Sequence, residues 1–124
     1  LLALFTFSLV FTACGDDDEA PSYELSLFLG EWKLTNSTDP DYKSCENDPP
    51  ILTITENKLD VAVIDTSNGC NAGSASLDYT FTGQAFTTTV FGFEVVYNIQ
   101  SASETEFSWK DNAAGYTETY VKVN

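Results

Sequence analysis

The sequence contains no histidine and no arginine, and basic residues of any kind are scarce. Its five basic residues are all lysines and face 19 Asp and Glu, so the formal net charge at pH 7 is -14. Binding of nucleic acid requires a basic face, which this composition does not provide. Anionic membrane surfaces would repel the chain for the same reason, so any attachment to a membrane requires a covalent lipid. We therefore expect no nucleic-acid partner.

The absence of histidine also removes the most common general base and metal ligand. The serines have no base beside them in the sequence, and the Asp, Glu, Lys and Tyr residues form no arrangement typical of an active site. An acidic stretch spans residues 39–48, but Lys43 and Ser44 stand where an EF-hand loop needs a ligand and a glycine. We expect no catalysis, no metal and no cofactor.

Long apolar runs are also missing, with one exception at residues 1–13. This run is shorter than the roughly 20 residues that span a bilayer, and it is typical of the apolar region of a secretion signal. No basic residue precedes it, so we expect the basic region of the signal before Leu1 in the precursor. The alternative, a buried helix with an acidic tail, needs a larger core than the remaining chain supplies.

Thr12 and Ala13 stand directly before Cys14 and resemble a bacterial lipobox. Cleavage there would make a lipidated Cys14 the first mature residue, and residues 14–22 would form an acidic tether before a domain spanning 23–124. The acidic run after Cys14 resembles the signal that directs some gram-negative lipoproteins to the outer leaflet of the outer membrane. We therefore predict an outer-membrane lipoprotein at the cell surface, with the periplasmic face as the alternative.

Cysteine is scarce as well, with three residues. If Cys14 carries the lipid, Cys45 and Cys70 remain as a pair in a compartment that permits disulfides. A zinc site is the alternative, but zinc usually has four protein ligands and neither histidine nor a further cysteine is present. We predict a Cys45–Cys70 disulfide joining two irregular loops, which stabilises the fold by about 3–4 kcal/mol on the chain-entropy model.

The residues after the tether first show helical and then alternating periodicity. Ser22 can cap a short helix that includes Leu25 and Phe28 and ends at Gly30. From Trp32 onward, Thr, Val, Ile, Phe and Tyr alternate with polar residues, as in half-buried β-strands. Eight strands are predicted, at residues 31–38, 51–55, 58–65, 76–82, 84–90, 92–100, 104–110 and 115–122.

Eight short strands joined by tight turns close most economically into an all-β, antiparallel up-and-down barrel. A β-sandwich is the alternative. The inner face of the last strand stays unassigned, because Tyr116 and Tyr120 compete with Thr119 and Val121 for it. On the other strands, the alternation assigns these candidate ligand-lining residues to the interior: Leu52, Ile54, Val61, Val63, Tyr79, Phe81, Phe86, Phe93, Val95, Tyr97, Phe107 and Trp109.

The order of a lipobox, a tether, a short helix, the segment LGEWKLT at 29–35 and then hairpins resembles the lipocalin-like domain of gram-negative lipoproteins. The resemblance covers Leu25 to Asn124, and its most specific element is Gly30 followed by Trp32. It implies that Gly30 lets the chain turn into the barrel and that Trp32 closes the floor. An arginine of the last strand often covers this tryptophan in the family, and Lys122 is the nearest candidate here.

Two functions are open on this evidence. The first is a barrel that holds a small apolar or amphipathic ligand, as the resemblance implies. The second is a structural or protein-interaction module whose barrel is filled by its own aromatic side chains. The volume of the barrel interior would distinguish the two, and the oligomeric state is left open.

Overall fold

The computed structural model describes residues 21–123. The predicted signal segment, Cys14 and most of the tether lie outside the described residues. No helix within residues 21–123 has the length and apolar character needed to cross a membrane. Eight strands follow a short 3₁₀ helix, Leu25–Leu27, and are numbered in chain order: β1 Gly30–Ser37, β2 Ile51–Ile54, β3 Lys58–Ile64, β4 Asn71–Phe81, β5 Ala85–Val90, β6 Phe93–Ala102, β7 Glu106–Asp111 and β8 Thr117–Lys122.

The strands form a closed barrel in which each strand pairs with its sequence neighbours and β8 pairs with β1. All of these pairings are antiparallel. The predicted all-β, eight-stranded up-and-down barrel is therefore confirmed, and the β-sandwich does not apply. Closure leaves no unpaired edge strand, which is the physical advantage of this arrangement for a small antiparallel sheet.

Successive connections of an up-and-down barrel lie at alternate ends. The 3₁₀ helix and the turns at residues 55–57, 82–84 and 103–105 lie at one end, which we call the floor. The longer loop at residues 38–50 lies at the other end, which we call the mouth, together with the connections at 65–70, 91–92 and 112–116.

Aromatic side chains fill the floor half of the barrel. Phe28 is fully buried, and its ring makes edge contacts with Phe86 and Phe107 at centroid distances of 5.3 and 5.4 Å. Trp32 contacts Phe107 at 4.7 Å and donates a hydrogen bond from Nε1 to the Phe28 carbonyl oxygen at 2.7 Å. Edge-to-face pairs of this kind stabilise a core beyond the area that they bury.

The entry to the barrel differs from the sequence prediction. The helix is a single 3₁₀ turn with Glu24 at its N-cap and no side-chain cap, so Ser22 does not cap it. The next residue, Tyr23, donates its backbone N–H to Gly83 in the β4–β5 turn at 2.8 Å, which places the start of the described chain at the floor. Gly30 does not end the helix but is the first residue of β1.

Gly30 and Lys122 meet at the floor. The Lys122 Nζ lies 4.6 Å from the centroid of the Trp32 ring and donates a hydrogen bond to the Leu29 carbonyl oxygen at 2.6 Å. Lys122 thus occupies the position for which the resemblance to lipocalin-like domains implies an arginine, as a cation over the tryptophan face. Gly30 has φ +126°, and a Cβ added there would lie 2.7 Å from Lys122 Nζ.

The paired cysteines fix two mouth loops together. Cys45 and Cys70 form a disulfide with a Cα–Cα distance of 5.1 Å, so this prediction is confirmed. The second loop is shorter than predicted, because β4 begins at Asn71 rather than at residue 76. The Asp65 side chain accepts a hydrogen bond from the Ser67 N–H at 2.9 Å, and Asn71 donates its N–H to the Asp48 carbonyl at 2.9 Å. The Gly- and Ser-rich segment at the start of β4 pairs with β3 from Asn71 onward.

The contact between Gly30 and Lys122 predicts that Gly30→Ala destabilises the protein more than a glycine-to-alanine substitution that causes backbone strain without a steric contact. Gly73 is the matched control, since it has φ +143° with no atom within 4 Å of an added Cβ. Both alanines impose strain of about 1–3 kcal/mol, but only Gly30→Ala displaces Lys122, at a further cost of about 1 kcal/mol. Urea unfolding of both variants measures the difference, and equal losses would contradict this role of Lys122.

Candidate ligand-binding site

The mouth half of the barrel holds a cavity of about 140 Å³, which we call the mouth cavity. Its aliphatic wall includes Leu52, Val61 and Ile64 from β2 and β3. These two strands pair only at Thr53 with Asp60 and at Ile54 with Leu59, and the cavity lies where they separate beyond this short ladder. The limited pairing of β2 with β3 thus leaves space that the floor half of the barrel lacks.

The opposite wall is aromatic and comes from β6, β7 and β8. Tyr97 stacks on Trp109 with a centroid distance of 4.4 Å and an interplanar angle of 24°. Tyr120 meets Trp109 edge to face at 5.6 Å. Trp109 is itself held from below by Phe107 and Phe86, so the aromatic wall continues the packed floor. The three rings form a rigid surface on which a ligand could lie.

Glu118 is the one ionisable carboxyl group that lines the mouth cavity. Its Oε1 accepts hydrogen bonds from Trp109 Nε1 at 2.9 Å and from the Tyr120 hydroxyl at 3.4 Å. Burial raises the pKa of Glu118, the Trp109 bond opposes this, and the negative charge of Asp111 raises the pKa further. The net direction is upward, because water solvates the charged form only in part.

The two tyrosines of the aromatic wall remain neutral at physiological pH. Burial, and then the charges of Asp111 and Glu118, raise the pKa of Tyr97 to about 12. Burial likewise raises the pKa of Tyr120 well above its ordinary value, with Glu118 adding to the effect. Both hydroxyl groups are therefore hydrogen-bond donors rather than charged groups.

A second, smaller cavity of about 100 Å³ lies between the mouth and the loop at residues 38–50. Asp39, Tyr42 and Lys43 of the loop line this lid cavity, and Ile64 and Glu118 line both cavities. We call residues 38–50 the lid, since they lie over the mouth. Glu118 is thus shared between the barrel interior and the space beneath the lid.

Three contacts fix the lid to the β3–β4 connection. The disulfide joins Cys45 to Cys70, and Lys43 Nζ donates a hydrogen bond to the Thr66 carbonyl oxygen at 3.3 Å. Gly69 is buried with φ +79° and lies so close to the Lys43 backbone that a Cβ would overlap it. The disulfide, the Lys43 side chain and a close backbone contact therefore set the position of the lid.

Only some of the residues predicted to line a ligand lie at the mouth cavity. Leu52, Val61, Tyr97 and Trp109 do line the mouth cavity. Five others do not line the mouth cavity. Ile54, Phe86 and Phe107 are buried in the core, and Tyr79 and Phe81 are half-buried and pack against it. Val95 is half-buried and lines neither cavity of the mouth.

Two of the predicted lining residues are corrected. Val63 is 49% exposed, because the β3–β4 register shifts between Ala62 and Ile64 and turns Ile64 toward the cavities instead. Phe93 is 75% exposed, because it follows the β5–β6 turn at the rim. A register shift inverts the alternation that the sequence pattern assumes.

Sequence reasoning missed Ile64, Glu118 and Tyr120. The sequence does contain a signal for Glu118 and Tyr120, because the assignment of Lys122 to the floor fixes which face of β8 points inward. Residues of a strand that differ by two share a face, so an inward Lys122 places Tyr120 and Glu118 inward as well. The pairing of Trp32 with Lys122 and of Trp109 with Glu118 shows this parity.

Among residues 21–123, no group of three or more Cys, Asp or Glu side chains is placed to hold a metal ion.

No protein-family model and no curated protein sequence matches the chain. One similar solved structure is the crystal structure of a lipocalin-like protein from Bacteroides uniformis at 1.79 Å resolution. The alignment has a TM-score of 0.53 and 13% sequence identity, and it covers 77% of this chain and 98% of that one. The barrel therefore has a lipocalin-like fold.

The half-buried Glu118 carboxyl, whose pKa is raised, predicts a pH-dependent gain in stability for Glu118→Gln. A pKa raised by folding means that Glu118 contributes its full stability below the unfolded value, near 4.3, and loses it as the pH rises through the folded pKa. The uncharged variant avoids this loss, so its free energy of unfolding relative to wild type should rise between pH 4 and pH 7.

Denaturant unfolding of the Glu118→Gln variant at several pH values measures this difference. Glu94→Gln is the control, because Glu94 is exposed and lines neither the mouth cavity nor the lid cavity. A stability difference for Glu118→Gln that does not depend on pH would contradict a destabilising buried carboxylate.

Proposed function

We propose that the protein is an exported lipoprotein whose barrel binds a small amphipathic molecule and catalyses no reaction. The observation that carries the proposal is the mouth cavity, which lies above the packed floor of the lipocalin-like barrel. One wall is apolar and one is aromatic, and a single carboxyl group lies between them. The surface of the cavity is about equally polar and apolar, and a concave site with a few convergent polar groups suits an amphipathic molecule.

The volume of the mouth cavity limits the ligand. An apolar cavity of about 150 Å³ holds one benzene molecule in a well-studied protein, and the mouth cavity is about 140 Å³. A molecule with roughly six to ten non-hydrogen atoms fits this scale. A retinoid or a long-chain fatty acid does not fit unless the aromatic floor rearranges, so small ring compounds are better candidates.

The proposed anchor is lipidated Cys14 on the outer membrane, with the domain at the cell surface. The described chain enters the barrel at the floor, where Tyr23 binds the Gly83 carbonyl, and the cavities lie at the opposite end. A tether from Cys14 would then join the membrane to the floor end and leave the mouth directed toward the medium. This orientation suits the capture of a dissolved molecule.

The alternative is a structural or protein-interaction module with a filled barrel. The aromatic packing of the floor half favours it, as do Phe91 and Phe93, which are 94% and 75% exposed at the tip of the β5–β6 hairpin. The empty space beside Glu118 favours the binding function, because a barrel filled only for stability gains nothing from a buried carboxyl group.

Filling the mouth cavity tests the binding function. We expect benzyl alcohol or benzylamine to bind the purified protein saturably, with a Kd of roughly 1 mM or below for eight non-hydrogen atoms. Val61→Phe should abolish binding, because Val61 lines the cavity. Val63→Phe is the control on the same strand, since Val63 is 49% exposed and should leave binding intact. Calorimetric titration that detects no binding of either compound would leave the filled-barrel function instead.

The anchor is tested separately by Cys14→Ala. If Cys14 carries the lipid, the variant should accumulate as a precursor that retains the apolar segment, whereas wild type should be an acylated protein that starts at Cys14. Mass spectrometry of the membrane fraction and protease treatment of intact cells measure processing and exposure. A wild-type mature protein without acyl chains would contradict the proposal.

A further inference from the structure

Within residues 21–123, Glu118 forms no ion pair, although it is the carboxyl group of the mouth cavity. The ion pair found in residues 21–123 joins Lys58 to Asp78 on the barrel exterior. Lys122 donates to the Leu29 carbonyl at the floor, and Lys43 donates to the Thr66 carbonyl on the lid. A carboxylate that is partly removed from water without a counter-ion is costly, so a cationic ligand would relieve the cost.

The hydrogen bonds of Glu118 leave one of its oxygens available. Both bonds from Trp109 and Tyr120 end on Oε1, and within the described part of the chain Oε2 accepts no protein hydrogen bond. Because Glu118 lines both the mouth cavity and the lid cavity, a donor group in either space could reach it. The bond from Trp109 also fixes the orientation of the carboxyl group before a ligand arrives.

The surroundings of Glu118 favour positive charge on the ligand. Tyr97, Trp109 and Tyr120 present aromatic rings around the same space, and ring faces attract ammonium groups. Asp39 and Asp41 line the lid cavity and Asp111 adds negative charge near Glu118, against the single Lys43 of the lid. With a net charge of -14 on the chain, the approach of a cation is favoured and that of an anion is opposed.

We infer that the ligand of the mouth cavity is a small organic amine, whose ammonium group binds Glu118 while its ring or short alkyl body lies against Tyr97 and Trp109. This inference rests on the proposed binding function and names its ligand class. Charge repulsion opposes the binding of a fatty-acid carboxylate, since it would bring a second negative charge into contact with Glu118.

Three ligands of similar size test the charge preference on the wild-type protein. Benzylamine, benzyl alcohol and benzoate share a ring and differ in charge. A charge-assisted hydrogen bond should make benzylamine bind about 10- to 100-fold more tightly than benzyl alcohol, and benzoate should not bind measurably. Equal or tighter binding of benzyl alcohol, or binding of benzoate, would overturn the inference while leaving the binding function in place. If none of the three binds, the proposed function fails and the inference fails with it.

The Glu118→Gln variant tests whether Glu118 causes the preference for a positively charged ligand. The variant keeps the shape of the side chain but removes its charge, so benzylamine should lose its advantage over benzyl alcohol to within about threefold while benzyl alcohol still binds. Glu94→Gln is the matched control, because it removes one charge near the mouth without touching either cavity. The inference is wrong if both variants reduce the benzylamine advantage equally, since the general field of the protein would then explain it. The three-ligand comparison on wild type requires no variant and decides the question even if Glu118→Gln does not fold.

Discussion

The packing of Phe28 against the aromatic rings of the barrel is the interaction on which the rest of the structure depends. Phe28 follows the single 3₁₀ turn, and its ring contacts Phe86 and Phe107 inside the floor. Its carbonyl oxygen accepts a hydrogen bond from the Trp32 indole N–H. This packing closes one end of the barrel with side chains from outside the strands. Because an aromatic core at native density leaves almost no voids, any space for a ligand must lie at the other end.

The mouth end is built differently, because three of its four connections are longer than any turn of the floor and β2 pairs with β3 only near the floor. The Cys45–Cys70 disulfide joins the lid to the β3–β4 connection, so a long loop covers the barrel without an extensive apolar contact of its own. Glu118 lies beneath this lid, between Trp109 and Tyr120. A half-buried carboxyl group that forms no ion pair among the described residues supports the proposed binding role, because the cost of removing its charge from water is not offset by a protein cation.

Much of the fold follows from the sequence because alternation and turn residues act locally. The eight strands lie close to their predicted positions, and the order of tight turns fixes which strands are neighbours. The site was harder to predict, since the register shift after Ala62 replaces Val63 by Ile64 and depends on pairing with β4. Glu118 was not identified because local alternation in β8 is ambiguous, and only the contact of Lys122 with Trp32 resolves it. The volume of the cavity depends on the packing of side chains from all eight strands, which no local pattern contains.

The central claim is that the floor is closed and that a ligand enters only the mouth half. The chain has two tryptophans, Trp32 in the floor and Trp109 in the wall of the mouth cavity, so their indole N–H resonances report on the two halves separately. Titration of the ¹⁵N-labelled protein with benzylamine should shift the Trp109 indole resonance saturably and leave that of Trp32 unchanged. A shift of the Trp32 resonance of equal or greater size would contradict the account, because it would place the ligand in the part of the barrel that the aromatic core fills.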